Sequence, residues 1–121
     1  MCSHCARNRK TVAGYTVDAA SHALLAGTGL ANGAKFGTTA YDGAASGWEV
    51  NGPVDTNNVV GTATLLANGA GQAGGGAAMV YIDRGNGSWV FSSNSIAFNG
   101  ALGSDQHLTT IMKNVFAAAV A

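Results

Sequence analysis

The sequence predicts an α/β or α+β domain that combines a small mixed β-sheet with one amphipathic helix at its C-terminal end. Three observations lead to this fold class: β-branched runs between glycine-rich segments, one hairpin pattern, and a helical apolar repeat near the end of the chain. The length of 121 residues corresponds to a single domain. We expect that domain at 11–121, preceded by a polar tail at 1–10.

The C-terminal helix is predicted from apolar residues that recur at helical spacing behind a capping residue. Ser104 or Asp105 stands before the repeat, and either side chain can accept a hydrogen bond from the first helical turn. The spacing i, i+3, i+4, i+7 puts the apolar residues on one face, which we expect to pack on the sheet. These residues are Leu108, Ile111, Met112, Val115, Phe116 and Ala119.

Strands are predicted where β-branched and aromatic residues are concentrated. The segment 11–17 is one, and 58–67 is another whose two faces are both apolar, which is typical of a central strand. Segments 78–83 and 88–92 flank the tight glycine turn 84–87, the pattern of a β-hairpin.

The connections are predicted from polar and glycine-rich composition. Asp18 or Ser21 is expected to cap a short helical turn at 22–25, and 47–52 suggests a short strand. Glycine-rich loops are expected at 26–37 and 68–77, and a loop with a short extended piece is expected at 94–100.

Charge and cysteine content restrict the partners and the compartment. Only 10% of residues are charged, and six basic residues balance six acidic ones, so we expect self-association and a homo-oligomer, and no nucleic-acid partner. No apolar run has the length of a membrane span or the form of a signal peptide, so we expect no membrane association. Two cysteines so close together cannot link distant parts of a fold, which favours a reducing, cytoplasmic location.

Three stretches of the sequence resemble a known family. "LLAGTGLANGAKFG" (24–37), "GWEVNG" (47–52) and the segment 87–120 resemble the C-terminal part of the glutamine-amidotransferase-like domain in the large subunit of N,N-dimethylformamidase and its relatives. This resemblance implies a flavodoxin-like layer that is truncated here and completed by oligomerisation. It also implies that the elbow carrying the nucleophilic cysteine is absent, and no motif matches the family's iron ligands.

The first five residues contain the clearest candidate metal ligands. Cys2, His4 and Cys5 form half of a zinc site, because the C-x₂-C spacing suits zinc but no second pair follows. His22, His107, a carboxylate or a second chain would complete the site. A low-pKa redox pair and an idle tail are the alternatives.

Two functions follow from these residues. The first is a zinc-dependent hydrolase that attacks a small ester, amide or phosphoester substrate with a metal-activated water. The second is a non-catalytic, oligomer-forming domain in which the cysteines are a structural zinc clip or are idle. The hydroxyls of Ser92, Ser93 and Ser95 would act as nucleophiles only if the fold brought a histidine to them.

Overall fold

A computed structural model describes residues 13–40, 43–47, 60–69 and 77–121. These residues form five strands, two short 3₁₀ helices and one α-helix. The strands are β1 (Tyr15–Val17), β2 (Lys35–Phe36), β3 (Thr62–Gly69), β4 (Ala78–Asp83) and β5 (Trp89–Ser92). The helices are the 3₁₀ helices η1 (Ala23–Leu25) and η2 (Ile96–Ala101) and the α-helix α1 (Gln106–Ala119).

The strands form one sheet in the order β2-β1-β3-β4-β5. All four neighbouring pairs are antiparallel. The small sheet with a C-terminal helix is therefore confirmed. The described strands do not form the flavodoxin-like layer that the resemblance implies, because the central strands of such layers are parallel.

The core lies between one face of the sheet and the helices. Tyr15 of β1 is fully buried, stacks on Phe36 with ring centroids 5.6 Å apart, and meets the Phe98 ring edge-on at 6.4 Å. Leu108 and Ile111 bring α1 into the same cluster, and neither is exposed. The first two turns thus attach the helix to the core, and in the third turn the Asn114 side chain donates to Leu24 O at 2.9 Å.

The predicted C-terminal helix is confirmed, and the structure selects its cap. Asp105, and not Ser104, is the N-cap residue, since its side chain accepts from the Leu108 backbone N–H. Phe116 is 65% exposed and Ala119 is exposed, so the apolar repeat extends beyond the part of the helix that packs on the core.

The predicted central strand and hairpin are also confirmed. β3 pairs with β1 on one side and β4 on the other, with a bulge between Leu65 and Ala67. β4 and β5 pair from Val80↔Ser92 to Asp83↔Trp89, on either side of the glycine turn.

Three short elements differ from the prediction. The loop 26–37 contains β2, the segment 94–100 contains most of η2, and the cap of η1 is His22 and not Asp18 or Ser21. β2 is two residues long and η2 lacks an apolar repeat, so neither has a pattern long enough to be read. Most of the strand suggested at 47–52 lies outside the described residues.

No helix in the described part of the chain is both long and apolar enough to cross a bilayer.

Candidate functional site

The predicted metal ligands fall into two groups. Cys2, His4 and Cys5 lie outside the described residues, whereas His22 and His107 lie in separate elements, at the start of η1 and in the first turn of α1. Within the described ranges, no three His, Cys, Asp or Glu side chains are grouped closely enough to hold a metal ion. A metal site that uses either histidine would therefore need ligands from outside the described residues.

Asp105 occupies the junction between α1 and the loop after β2. One carboxylate oxygen, Oδ1, accepts from Leu108 N–H at 3.0 Å, and the other, Oδ2, accepts from Gly37 N–H at 2.7 Å. Gly37 has φ +65°, a conformation that favours glycine. Asp105 therefore fixes both the start of the helix and a turn 68 residues earlier in the chain.

His107 lies directly against this carboxylate. Its Nδ1 is 3.5 Å from Asp105 Oδ1, and its ring meets the Phe36 ring edge-on at 6.5 Å. The His107 side chain is 42% exposed while that of Asp105 is 9% exposed. A buried carboxylate on the Nδ1 side favours the tautomer with its proton on Nδ1, which leaves the Nε2 lone pair available.

His22 has the opposite hydrogen-bonding pattern. Its Nδ1 accepts from Leu24 N–H at 3.2 Å, which uses that lone pair to cap η1. The neutral ring then carries its proton on Nε2, so neither nitrogen is ready to bind a metal ion. The ring packs on Tyr81 with centroids 4.6 Å apart, and burial lowers the pKa of His22 below its usual value.

The described chain begins beside the Asp105 turn. Ala13 forms an antiparallel bridge with Ser46, and Ala45 N–H donates to Gly37 O at 2.8 Å. Gly14 lies so close to β2 that an added Cβ would be 2.5 Å from Phe36 O. The N-terminal segment therefore joins the fold at the end of the sheet where Asp105 holds Gly37.

The three serines near the end of β5 belong to a turn. Ser92 Oγ donates to Asn94 Oδ1 at 2.7 Å, and Ser93 Oγ donates to Ser95 O at 3.3 Å. Ser95 Oγ accepts from Ala97 N–H at 3.3 Å as the cap of η2. These contacts serve the turn, and none of them involves a histidine.

Sequence reasoning found His107 but missed its neighbours. Asp105 was identified only as a possible cap, and Gly37 was not singled out. The D-x-H spacing was visible at 105–107, but side chains that are two residues apart on a helix do not normally face each other. The pair forms because Asp105 is the cap residue, outside the helical repeat.

The fold and this site describe a small α+β domain in which an antiparallel sheet positions an aspartate–histidine pair at the start of its helix. Residues 2–110 match the family described as "N,N-dimethylformamidase beta subunit-like, C-terminal". Because the match covers most of the chain, this protein belongs to that family. No curated protein matches the chain.

Proposed function

We propose that this chain is a hydrolase that acts on a small amide or ester through a zinc-activated water. The family is named for N,N-dimethylformamidase, an amide hydrolase, which makes an amide the first substrate class to test, ahead of an ester or a phosphoester. The observation that carries the proposal is the contact between Asp105 and His107 Nδ1 at 3.5 Å. A carboxylate in that position orients metal-binding histidines in many zinc sites.

The proposed zinc ligands are Cys2, Cys5 and His107, with His4 or a carboxylate of a second chain available for a further position. Seven residues lie between Cys5 and Ala13, and the eight residue steps span at most about 28 Å when fully extended. The His107 ring contacts that of Phe36, and Phe36 lies against Gly14, close to where this segment joins the fold. We choose His107 because its Nε2 is the nitrogen left available for a metal ion.

The residues of the chain have distinct roles in this proposal. Bound zinc would lower the pKa of a coordinated water toward neutrality. Asp105 lies 3.5 Å from Nδ1 of His107 and favours the tautomer whose Nε2 lone pair is available. The exposed position of His107 leaves room for a small substrate beside it.

Metal content and turnover of matched histidine variants test the proposal. His107→Gln should lower zinc content and abolish hydrolysis of small formamides and acetate esters, as should Cys5→Ala. His22→Asn is the matched control, since asparagine retains a cap acceptor for η1 and should leave both quantities unchanged. Equal zinc content in all variants, or turnover that survives loss of His107, would refute it.

A second candidate function, a non-catalytic oligomer-forming domain, is favoured by the face of the sheet opposite the core. Leu65 is 37% exposed and Val90 is 41% exposed, and both lie on that face together with Ile82. The low charge and zero formal net charge would favour a homodimer through it. Deleting residues 1–9 distinguishes the two functions. The oligomer-forming function is supported if the deletion variant assembles as the original chain does and neither of them shows zinc-dependent turnover.

The proposal also includes the cellular location and the evolutionary origin of the chain. We infer a cytoplasmic location from the close cysteine pair, which cell fractionation would test. We also infer descent from a glutamine-amidotransferase-like domain, on the three stretches that resemble it. A solved structure of a longer member of the family that lacks an equivalent antiparallel sheet would contradict that descent.

A further inference from the structure

The chain contains Asn-Gly pairs at five places, and the fold treats them differently. They begin at Asn32, Asn51, Asn68, Asn86 and Asn99. We propose that Asn86, in the β4–β5 turn, is a site of spontaneous deamidation. Among the four pairs in the described residues, the structure leaves this one competent to react and restrains the other three.

The reaction needs only the chain and water. The backbone nitrogen of Gly87 attacks Cγ of the Asn86 carboxamide, loses its proton to solvent, and forms the new C–N bond of a succinimide ring. The Cγ–N bond of the carboxamide breaks, and its NH2 group takes one proton from solvent and leaves as ammonia. That proton balances the one that Gly87 N–H gave to solvent. Water then opens the ring at either carbonyl, giving aspartate or isoaspartate, and no oxidant or reductant takes part.

The geometry at Asn86 favours this attack. Its Oδ1 accepts from both Ser88 N–H, at 3.0 Å, and Ser88 Oγ, at 2.5 Å. These two bonds hold the carboxamide in place and polarise the carbonyl that the Gly87 nitrogen attacks. Asn86 and Gly87 are both exposed, and within the described residues the Gly87 N–H donates no hydrogen bond.

The attacking nitrogen is engaged in two of the other pairs. Gly33 N–H donates to Val17 O at 2.8 Å, while Asn32 Oδ1 accepts from Ala20 N–H at 2.7 Å. Gly69 N–H donates to Ala77 O at 2.6 Å, and Asn68 lies within β3, paired on both sides. Reaction at either pair requires that these backbone bonds break.

The fourth pair is restrained by helical structure. Asn99 lies inside η2, and its carbonyl accepts from Leu102 N–H at 3.4 Å. Closing a succinimide ring at Asn99 requires its backbone to leave the helical conformation, which disrupts η2. Among the four described pairs, the one in the β4–β5 turn therefore combines an exposed asparagine with a glycine nitrogen that is held neither by a backbone bond nor by a helix.

Deamidation at this turn would change both charge and backbone. The new carboxylate takes the formal net charge from zero to minus one and lies three residues from Asp83. Isoaspartate also adds an atom to the backbone of a turn that sets the register Asp83↔Trp89. The Trp89 ring, 5.6 Å from the Tyr81 ring, would report that change by its fluorescence.

Ageing the purified chain at mildly alkaline pH tests the proposal. We expect an acidic species on native isoelectric focusing, with the mass gain of amide-to-acid conversion mapped to Asn86. Among the four described pairs it should form first by at least tenfold. In urea, where the backbone bonds are lost, Asn32, Asn68 and Asn99 should react at rates close to that of Asn86.

Two variants separate this site from the rest. Asn86→Gln should suppress the species, because glutamine must close a larger and slower-forming ring. Asn32→Gln, the matched control, should leave its rate unchanged. The proposal is overturned if Asn32, Asn68 or Asn99 reacts first in the folded chain, if no pair reacts there while all react in urea, or if Asn86→Gln leaves the species in place.

Discussion

The Asp105 carboxylate joins α1 to the loop after β2, since it accepts from Gly37 N–H at 2.7 Å and from Leu108 N–H at 3.0 Å. The Asp105 side chain is only 9% exposed, so both bonds are largely shielded from water. Helix start, turn geometry and the orientation of His107 all depend on this one side chain. Substitutions at Asp105 should therefore affect stability as well as any metal site.

Asp105→Ala should lower the free energy of unfolding by about 2 to 4 kcal/mol, because it removes a helix cap and leaves the Gly37 N–H unpaired. Asp105→Asn, the matched control, keeps one acceptor oxygen and should lose about half as much. Urea denaturation measures both. Equal stability of Asp105→Ala and the original chain would show that the cap and the turn are supported elsewhere.

His22 should make the fold sensitive to mild acid. Burial lowers its pKa in the folded state, so the unfolded chain binds a proton more readily. The stabilisation is present above the unfolded value of 6.5 and is lost as pH falls through the folded value. Thermal melts should show a steeper fall in Tm below that pH for the original chain than for His22→Asn.

His22→Asn is informative because it retains a cap acceptor without a titrating ring. A variant with the same acid sensitivity as the original chain would assign that sensitivity to other groups. His22→Ala should lose stability at all pH values through loss of the cap, by about 1 kcal/mol.

Tyr15 should make the fold sensitive to alkali. Burial raises the pKa of its phenol well above the usual 10.0, and the Ser93 side chain opposes this only in part. The phenol also donates to Ser93 O at 2.8 Å, a bond that is lost when the phenol ionises. The unfolded chain therefore releases the proton first, and stability is lost as pH rises above about 10. Alkaline unfolding followed by circular dichroism measures the slope.

Tyr15→Phe should flatten that alkaline slope, since phenylalanine has no proton to release. At neutral pH it should cost about 1 kcal/mol, because the Ser93 carbonyl loses its donor while the ring packing is retained. An unchanged alkaline slope in Tyr15→Phe would rule out Tyr15 as its source.

Gly69 and Ser46 should show strong energetic coupling. A Cβ at Gly69 would be 2.6 Å from Ser46 Cβ and closer still to Ser46 Oγ, so Gly69→Ala should cost about 1 to 3 kcal/mol. Adding Ser46→Gly removes the clashing atoms and should recover part of that loss. Urea denaturation of the double-mutant cycle measures the coupling, and strictly additive losses would contradict the predicted contact.

Sequence patterns identified the elements that repeat over enough residues. The α1 stripe, the hairpin and the central strand β3 each have a periodicity that follows from their backbone geometry. β2 is two residues long, and the bulge in β3 shifts its pairing with β4 by one residue. Neither feature produces a periodic pattern that can be recognised in the sequence. The exposure of Phe116 depends on where the sheet ends, which the helical repeat does not encode.

The site was predictable only in part for a similar reason. The sequence showed His107 as a possible ligand, but its suitability as a ligand depends on Asp105 and on the distant Gly37 turn. His22 was visible in the same way, yet its bond to Leu24 N–H gives it a capping role. Local backbone geometry determines which ring nitrogen of a histidine is engaged in a hydrogen bond, and the spacing of residues in the sequence does not indicate it.

The position of α1 after all five strands has a consequence for synthesis. Leu108 and Ile111 complete the core around Tyr15, so the sheet face stays uncovered until the helix has emerged from the ribosome. A nascent chain halted before α1 should expose this apolar face and recruit chaperones or aggregate. Emergence of α1 would then convert an aggregation-prone intermediate into the folded domain.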